Sequence, residues 1–191
     1  DIIINGAAES HVDNSINGND VFLKSNVLGV HRILELLKNK RIENLMHSWS
    51  YVTPLFVQIS TDETFGDIEN GSFKEYDRHK PSNPYAATKS AAEQLVFAWG
   101  RTYNIPYIIT RTTNNYGPGQ HEEKLIPRTI VNLLQNKKAI VHGNGSYIRN
   151  WIHVFDNVEA IQTIIDVGNL NDCYHIASNE EYSVKSIVRK I

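Results

Sequence analysis

Three short apolar runs, Ile2-Ile3-Ile4, Leu55 to Ser60 and Tyr107 to Thr110, break the chain at wide intervals, and each gives way to small or polar residues. Short runs without polar alternation suit strands buried on both faces, as in a parallel sheet covered by helices. The intervening segments carry helical spacing. Val21 to Leu37 places Val21, Leu28, Ile33, Leu34 and Leu37 on one stripe. Pro84 opens a helix over Tyr85 to Tyr103, and Lys124 to Leu134 is amphipathic. Strands alternating with helices at this spacing predict an α/β fold with a parallel sheet.

Shorter elements complete the pattern. Ala139 to His142, Trp151 to Val154 and Cys173 to Ala177 read as extended, and Asn157 to Val167 and Val184 to Ile191 as helical. His11 to Asp20, Asp67 to Pro84 and Asn114 to Gly119 read as polar stretches or loops. The chain opens in a strand pattern without an initiator methionine and closes in a helical one, which reads as an internal piece of a longer protein. Met46 to Leu55 has no functional reading.

Composition narrows the function. With 19 Lys+Arg against 21 Asp+Glu, the charge of -2 is too balanced for a protein held to nucleic acid by phosphate contacts. No apolar run approaches the roughly 20 residues of a membrane helix, and no leader peptide is legible. The single cysteine, Cys173, excludes an internal disulfide framework and a cysteine-rich zinc site, and suits a reducing compartment. The histidines have no metal-site spacing, so no metal is expected; His11, His121, His142 and His175 read as core or loop residues. No Gly-x-Ser-x-Gly elbow is present.

Tyr85 and Lys89 stand four apart on one helix face, where an ammonium can favour the phenolate. Taken alone, such a pair is more often an ordinary surface pair. Asp62 and Glu63 follow Thr61 at the end of a buried strand, the edge at which open parallel sheets bind ligands. Two carboxylates in unlike surroundings can divide into acid and base. In an extended chain they would point to opposite faces, so both serve one ligand only if the strand ends there, as Gly66 allows. Asn114 and Asn115 could read hydroxyls at a strand end, and Lys124 and Arg149 could grip phosphate.

In order, these segments resemble the nucleotide-sugar 4,6-dehydratases of the extended short-chain dehydrogenase/reductase superfamily, above all the branch acting on dTDP-glucose. The resemblance rests on Ala7-Ala8-Glu9-Ser10-His11-Val12-Asp13, Ser25-Asn26-Val27-Leu28-Gly29, Ser60-Thr61-Asp62-Glu63 and Pro84-Tyr85-Ala86-Ala87-Thr88-Lys89. Asn114 to Pro118, Glu123 to Pro127 and Ile148 to Trp151 extend it over nearly the whole chain. Thr-Asp-Glu is its most specific element. The resemblance implies a Rossmann-type doubly wound parallel sheet, its N-terminal half missing, with part of a small substrate-binding α/β domain. Residues 1–119 and 150–168 would belong to the NAD-binding domain, and 120–149 and 169–191 to the nucleotide-sugar domain.

The resemblance also implies an activity. Tyr85, activated by Lys89, would take the 4-hydroxyl proton while hydride leaves C4 for NAD. Glu63 would remove the C5 proton and Asp62 protonate the departing 6-hydroxyl, with Thr61 holding the 4-hydroxyl. Hydride return to C6 would give the 4-keto-6-deoxy sugar. Gly6, Ala7, Ala8, Glu9 and Ser10, with Ser25, Tyr85, Lys89 and Asn115, would line the NAD site. Asn114, Lys124, Leu125 and Arg149, with Ser10, Thr61, Asp62 and Glu63, would bind the nucleotide-sugar substrate. A cytoplasmic homodimer, paired through Val21–Leu37 and Tyr85–Tyr103, would be the assembly.

Departures from the family pattern are specific. The glycine-rich turn for the NAD pyrophosphate and its acidic ribose partner are missing. Ser25 stands for the usual Thr, Asn150 for Asp and His175 for Asn. UDP-glucose 4,6-dehydratase or another nucleotide-sugar epimerase or dehydratase is the alternative; a non-catalytic nucleotide-sugar-binding or dimerisation piece is the alternative of another class, and the isolated piece is expected to be inactive.

Overall fold

From its N-terminus the chain runs β1 (Ile2–Asn5), α1 (Val12–Asn17), α2 (Asp20–Phe22), α3 (Gly29–His47), β2 (Leu55–Thr61), α4 (Pro84–Tyr103) and β3 (Tyr107–Thr112). It continues through β4 (Asn114–Tyr116), α5 (Leu125–Leu134), β5 (Ile148–His153), α6 (Val154–Val167), β6 (Asp172–Ile176), β7 (Glu181–Ser183) and α7 (Val184–Lys190). This computed structural model describes residues 1–47, 53–141 and 143–191. Two compact units are formed: Asp1–Arg111 with Ile164–His175, and Thr112–Thr163 with Ile176–Ile191. These boundaries differ from those expected, because 112–119 and 150–163 pack with the second unit and 169–175 with the first.

The first unit carries a four-stranded sheet in the order β1-β2-β3-β6. β1 and β2 run parallel, with Ile2 opposite Leu55 and Asn5 opposite Gln58. Phe56, Val57, Ile108 and Ile109 are consecutive pairs of fully buried residues, so both faces of β2 and β3 are covered. Val30, Leu34 and Leu37 from α3 and Ala92 and Val96 from α4 pack over Phe56, Tyr107, Ile109 and Cys173. This is the expected α/β architecture, with parallel pairing at its first strands.

β1 is the outermost strand of the described sheet; within this chain Ile2 and Ile4 are 50% and 54% exposed, whereas Asn5 is buried. The polar stretch after it also contains a helix, α1, whose Ser15 is buried and accepts a hydrogen bond from the Tyr85 backbone N–H at 3.2 Å. Between α2 and α3 the chain makes a wide helical turn, Leu23–Leu28, closed by the Gly29 N–H on the Lys24 carbonyl. Wide turns of this kind recur at functional sites.

α4 is bounded as its sequence suggests. Asn83 caps its start, Pro84 occupies the first turn, and Asn104 ends it in a left-handed conformation at φ 51°. Gly100 lies so close to β3 that a β-carbon there would stand 2.4 Å from the Tyr107 ring.

The second unit holds a three-stranded sheet, β4-β5-β7. β4 is parallel to β5 and β5 antiparallel to β7. Asn114 to Tyr116, expected as a loop, is therefore a short strand, because its backbone pairs with Trp151 to His153. Ala139 to Val141 form no strand, since no strand of that sheet pairs with them; His142 lies outside the described residues, as do residues 48–52 of the approach to β2. α6 begins at Val154, earlier than expected, with Asp156 in its first turn favouring the helix start.

Candidate active site

β2 ends at Thr61, and the chain at once tightens into a 3-10 turn, Asp62–Phe65. Thr61 is extended (φ -144°, ψ 150°), and its hydroxyl accepts a hydrogen bond from the Glu63 N–H at 3.3 Å. The turn removes the strict alternation that would send Asp62 and Glu63 to opposite faces. Gly66 closes it, its N–H on the Glu63 carbonyl. Gly66 has φ 82°, and a β-carbon there would lie 2.2 Å from the Lys80 carbonyl oxygen, so only glycine fits.

Beneath the turn lies a buried polar network. Phe65 stacks on Phe73 with ring centroids 5.0 Å apart, and the Arg111 guanidinium lies 4.9 Å from the Phe65 centroid. Arg111 and Glu93, 1% and 0% exposed, form an ion pair at 2.6 Å. Arg111 Nε also donates to both Glu93 oxygens, and Nη1 donates to the Glu75 carbonyl at 2.6 Å. Ser60 donates to Glu93. His79 bridges Ser90 Oγ at 2.8 Å and Arg111 Nη2 at 3.3 Å. These groups adjoin a cavity of about 390 Å³ lined in part by Tyr76, Asp77, Gln94 and Phe97.

Tyr85 and Lys89 sit on the first turns of α4, 9% and 5% exposed. Burial drives the phenol of Tyr85 above its ordinary range, the Glu63 charge adds to this, and a hydrogen bond with Thr61 opposes it. The three elements therefore meet electrostatically: Thr61 and Glu63 both act on the Tyr85 hydroxyl. Burial pulls the Lys89 ammonium down to about 8, partly offset by the charge of Glu93. Lys89 Nζ donates to the Ile59 carbonyl at 2.6 Å. The Lys89 ammonium keeps two further N–H donors beyond this bond.

Asn26, buried in the wide turn that also holds Ser25, binds the loop after β1. Its Oδ1 accepts from the Glu9 N–H at 2.9 Å, and its Nδ2 donates to the Glu9 carbonyl at 3.0 Å and to Thr88 Oγ1 at 2.9 Å. Glu9 is thereby tied to the helix carrying Tyr85 and Lys89. Nothing described stands within 4 Å of where a β-carbon of Gly6 would lie.

In the second unit Asn114 and Asn115 lie on β4. Asn115 Nδ2 donates to Thr112 Oγ1 at 2.9 Å and to the Thr113 carbonyl at 3.1 Å, while its buried Oδ1 has no partner among the described residues. Lys124 is the residue before α5 and stands 3.7 Å from the Glu123 carboxylate; Leu125 is the first residue of the helix. Arg149 is exposed on β5, its guanidinium 6.0 Å from the Tyr147 ring centroid. Asn150 accepts from Thr113 Oγ1 at 2.9 Å and donates to the Ser178 carbonyl at 2.7 Å. An aspartate could not make the second bond. His175 belongs to the first unit, with its ring 5.2 Å from that of Phe65 and Nδ1 3.9 Å from Glu75. Among the described residues no group of His, Cys, Asp and Glu could hold a metal, and no helix is long and apolar enough to cross a membrane.

Four residues escaped the sequence reading. Asn83 was legible as a cap, being an Asn before Pro at a helix start. Asn26 and the Arg111–Glu93 pair carried no local signal, since their partners are remote in sequence.

Comparison with known proteins agrees with this architecture. The chain is 41% identical over its full length to the low-salt glycan biosynthesis protein Agl12 of Haloferax volcanii, covering 58% of that protein. It is 40% identical over its full length to dTDP-glucose 4,6-dehydratase of Haemophilus influenzae, covering 56% of it. The chain thus spans little more than half the length of these relatives. The crystal structure of DesIV, a dTDP-glucose 4,6-dehydratase from Streptomyces venezuelae with NAD and TYD bound, superposes with a TM-score of 0.91 at 36% identity, over 100% of this chain and 56% of that one. The family model for GDP-mannose 4,6 dehydratase matches residues 1–191 without remainder, and the chain belongs to that family.

Proposed function

We propose that the full-length protein is an NAD-dependent nucleotide-sugar 4,6-dehydratase acting on dTDP-glucose. The observation that carries this reading is the turn after β2, which lets a Thr61 hydrogen bond and the charges of Glu63 and Asp62 act on Tyr85. An oxidoreductase of this type needs a tyrosine beside the carbon to be oxidised. An elimination needs, in addition, a base and an acid at the neighbouring carbons.

In this reading Thr61 holds the sugar 4-hydroxyl and Tyr85 takes its proton. The resulting 4-ketone acidifies C5–H, and Glu63 removes that proton. Asp62 gives a proton to the 6-hydroxyl, which leaves as water, and Glu63 returns its proton to C5. NAD, when bound, would supply the hydride acceptor for C4 and the hydride donor for C6. In the first unit Gly6 to Ser10, Ser25, Tyr85 and Lys89 would hold such a group; in the second, Asn115 would contribute, its buried Oδ1 having no partner among the described residues. Asn114, Lys124, Leu125 and Arg149 bind the nucleotide and diphosphate. The first unit carries the oxidation and elimination chemistry and the second the nucleotide, in a cytoplasmic homodimer paired through the helices at 21–37 and 85–103.

The test is mass spectrometry of full-length protein incubated separately with dTDP-glucose and UDP-glucose. Loss of one water from dTDP-glucose is the expected result; water loss from UDP-glucose alone reassigns the base. An unchanged mass with both, in protein that retains NAD, refutes the dehydratase reading and directs the search to an epimerised product.

A further inference from the structure

One carboxamide joins the turn that carries Glu63 to the helix that carries Tyr85. Asn83 Oδ1 accepts from the Ala86 N–H at 2.8 Å, which is the N-cap of α4. Its Nδ2 donates to Glu63 Oε2 at 3.0 Å. A serine, threonine or aspartate at this position could cap the helix, but none offers the amide donor while capping. Both groups are half-buried, where a hydrogen bond to a carboxylate is stronger than in water.

From this double bond we infer that Asn83 is a positioning residue for the general base, orienting Glu63 relative to Tyr85 through the helix cap; the inference rests on the dehydratase reading of the site. Asn83 engages Oε2 and leaves Oε1 for proton abstraction. The charges of Glu63 and Asp62 both act on Tyr85.

The test compares Asn83→Asp and Asn83→Ser with wild type in the full-length protein. Asp ranks with Asn as an N-cap, so Asn83→Asp keeps the helix start and replaces the donor with a like charge. Its kcat at neutral pH is expected to fall about tenfold or more, with the acidic limb of the pH–rate profile moved up by about one unit and KM nearly unchanged. Asn83→Ser lowers kcat without moving the limb as far. In parallel, carbon NMR of the Glu63 carboxyl follows its titration without turnover and moves upward in Asn83→Asp. An unmoved Glu63 titration overturns the tether whatever the activity. If the titration moves but wild type releases no water from either sugar nucleotide, the tether stands and its catalytic purpose is overturned with the dehydratase reading.

Discussion

Arg111→Met is expected to destabilise the protein by about 3–5 kcal/mol, the usual consequence of removing one partner from a buried ion pair. Glu93 is wholly buried, and Arg111 supplies three of its hydrogen bonds. Without the guanidinium, the carboxylate keeps the Ser60 hydrogen bond and His79 Nε2 at 3.7 Å, and must protonate or draw in water. Glu93→Leu leaves the reciprocal cation and is expected to cost a similar amount. The double variant should lose much less than the sum, because replacing both charges by apolar groups of similar volume removes the desolvation penalty with the attraction. Urea unfolding of the four proteins measures this. Single losses below about 1 kcal/mol would mean that the pair is solvated in solution.

The same network gives stability a pH dependence. Burial holds His79 below its ordinary value, with the Arg111 charge in the same direction and Glu93 opposing. A lowered folded value means that the neutral ring is favoured in the native state. Its contribution is complete above the unfolded value near 6.5 and is lost as pH falls toward the depressed folded one.

The second large effect concerns chemistry. Glu63→Gln is expected to lower dehydration by about 10²–10⁴-fold, the range for loss of a general base, and to abolish solvent deuterium incorporation at C5. Asp62→Asn should slow water loss comparably, yet leave C5 exchange in place, because Glu63 can still remove and return that proton. The two variants therefore separate base from acid by where deuterium appears, independently of overall rate. Equal loss of C5 exchange in both would refute the division of roles between adjacent carboxylates. Neither substitution changes side-chain size appreciably, so folded yield should match wild type.

Much of this was legible in the chain. The apolar runs at Leu55 and Tyr107 announced the central strands, and Pro84 with the apolar spacing behind it announced α4. The Thr61-Asp62-Glu63 and Tyr85–Lys89 segments pointed to one sheet edge. Hidden from the sequence was everything decided by a remote partner. Whether Ile2 and Ile4 are covered depends on what packs on β1, and a three-residue strand such as β4 exists only because β5 lies beside it. The bond from Lys89 Nζ to the Ile59 carbonyl is likewise set by a strand remote in sequence.

The grip of Asn26 on Glu9 has a kinetic meaning. Both the N–H and the C=O of one loop residue are met by a single side chain, as a neighbouring strand would meet them, and the same nitrogen reaches Thr88. The Glu9 amide should accordingly exchange with solvent as slowly as an amide of the sheet, although it lies in an exposed loop. Fraying of that loop cannot proceed without releasing α4 at Thr88, so the segment beside the open end of β1 and the helix bearing Tyr85 form one cooperative unit.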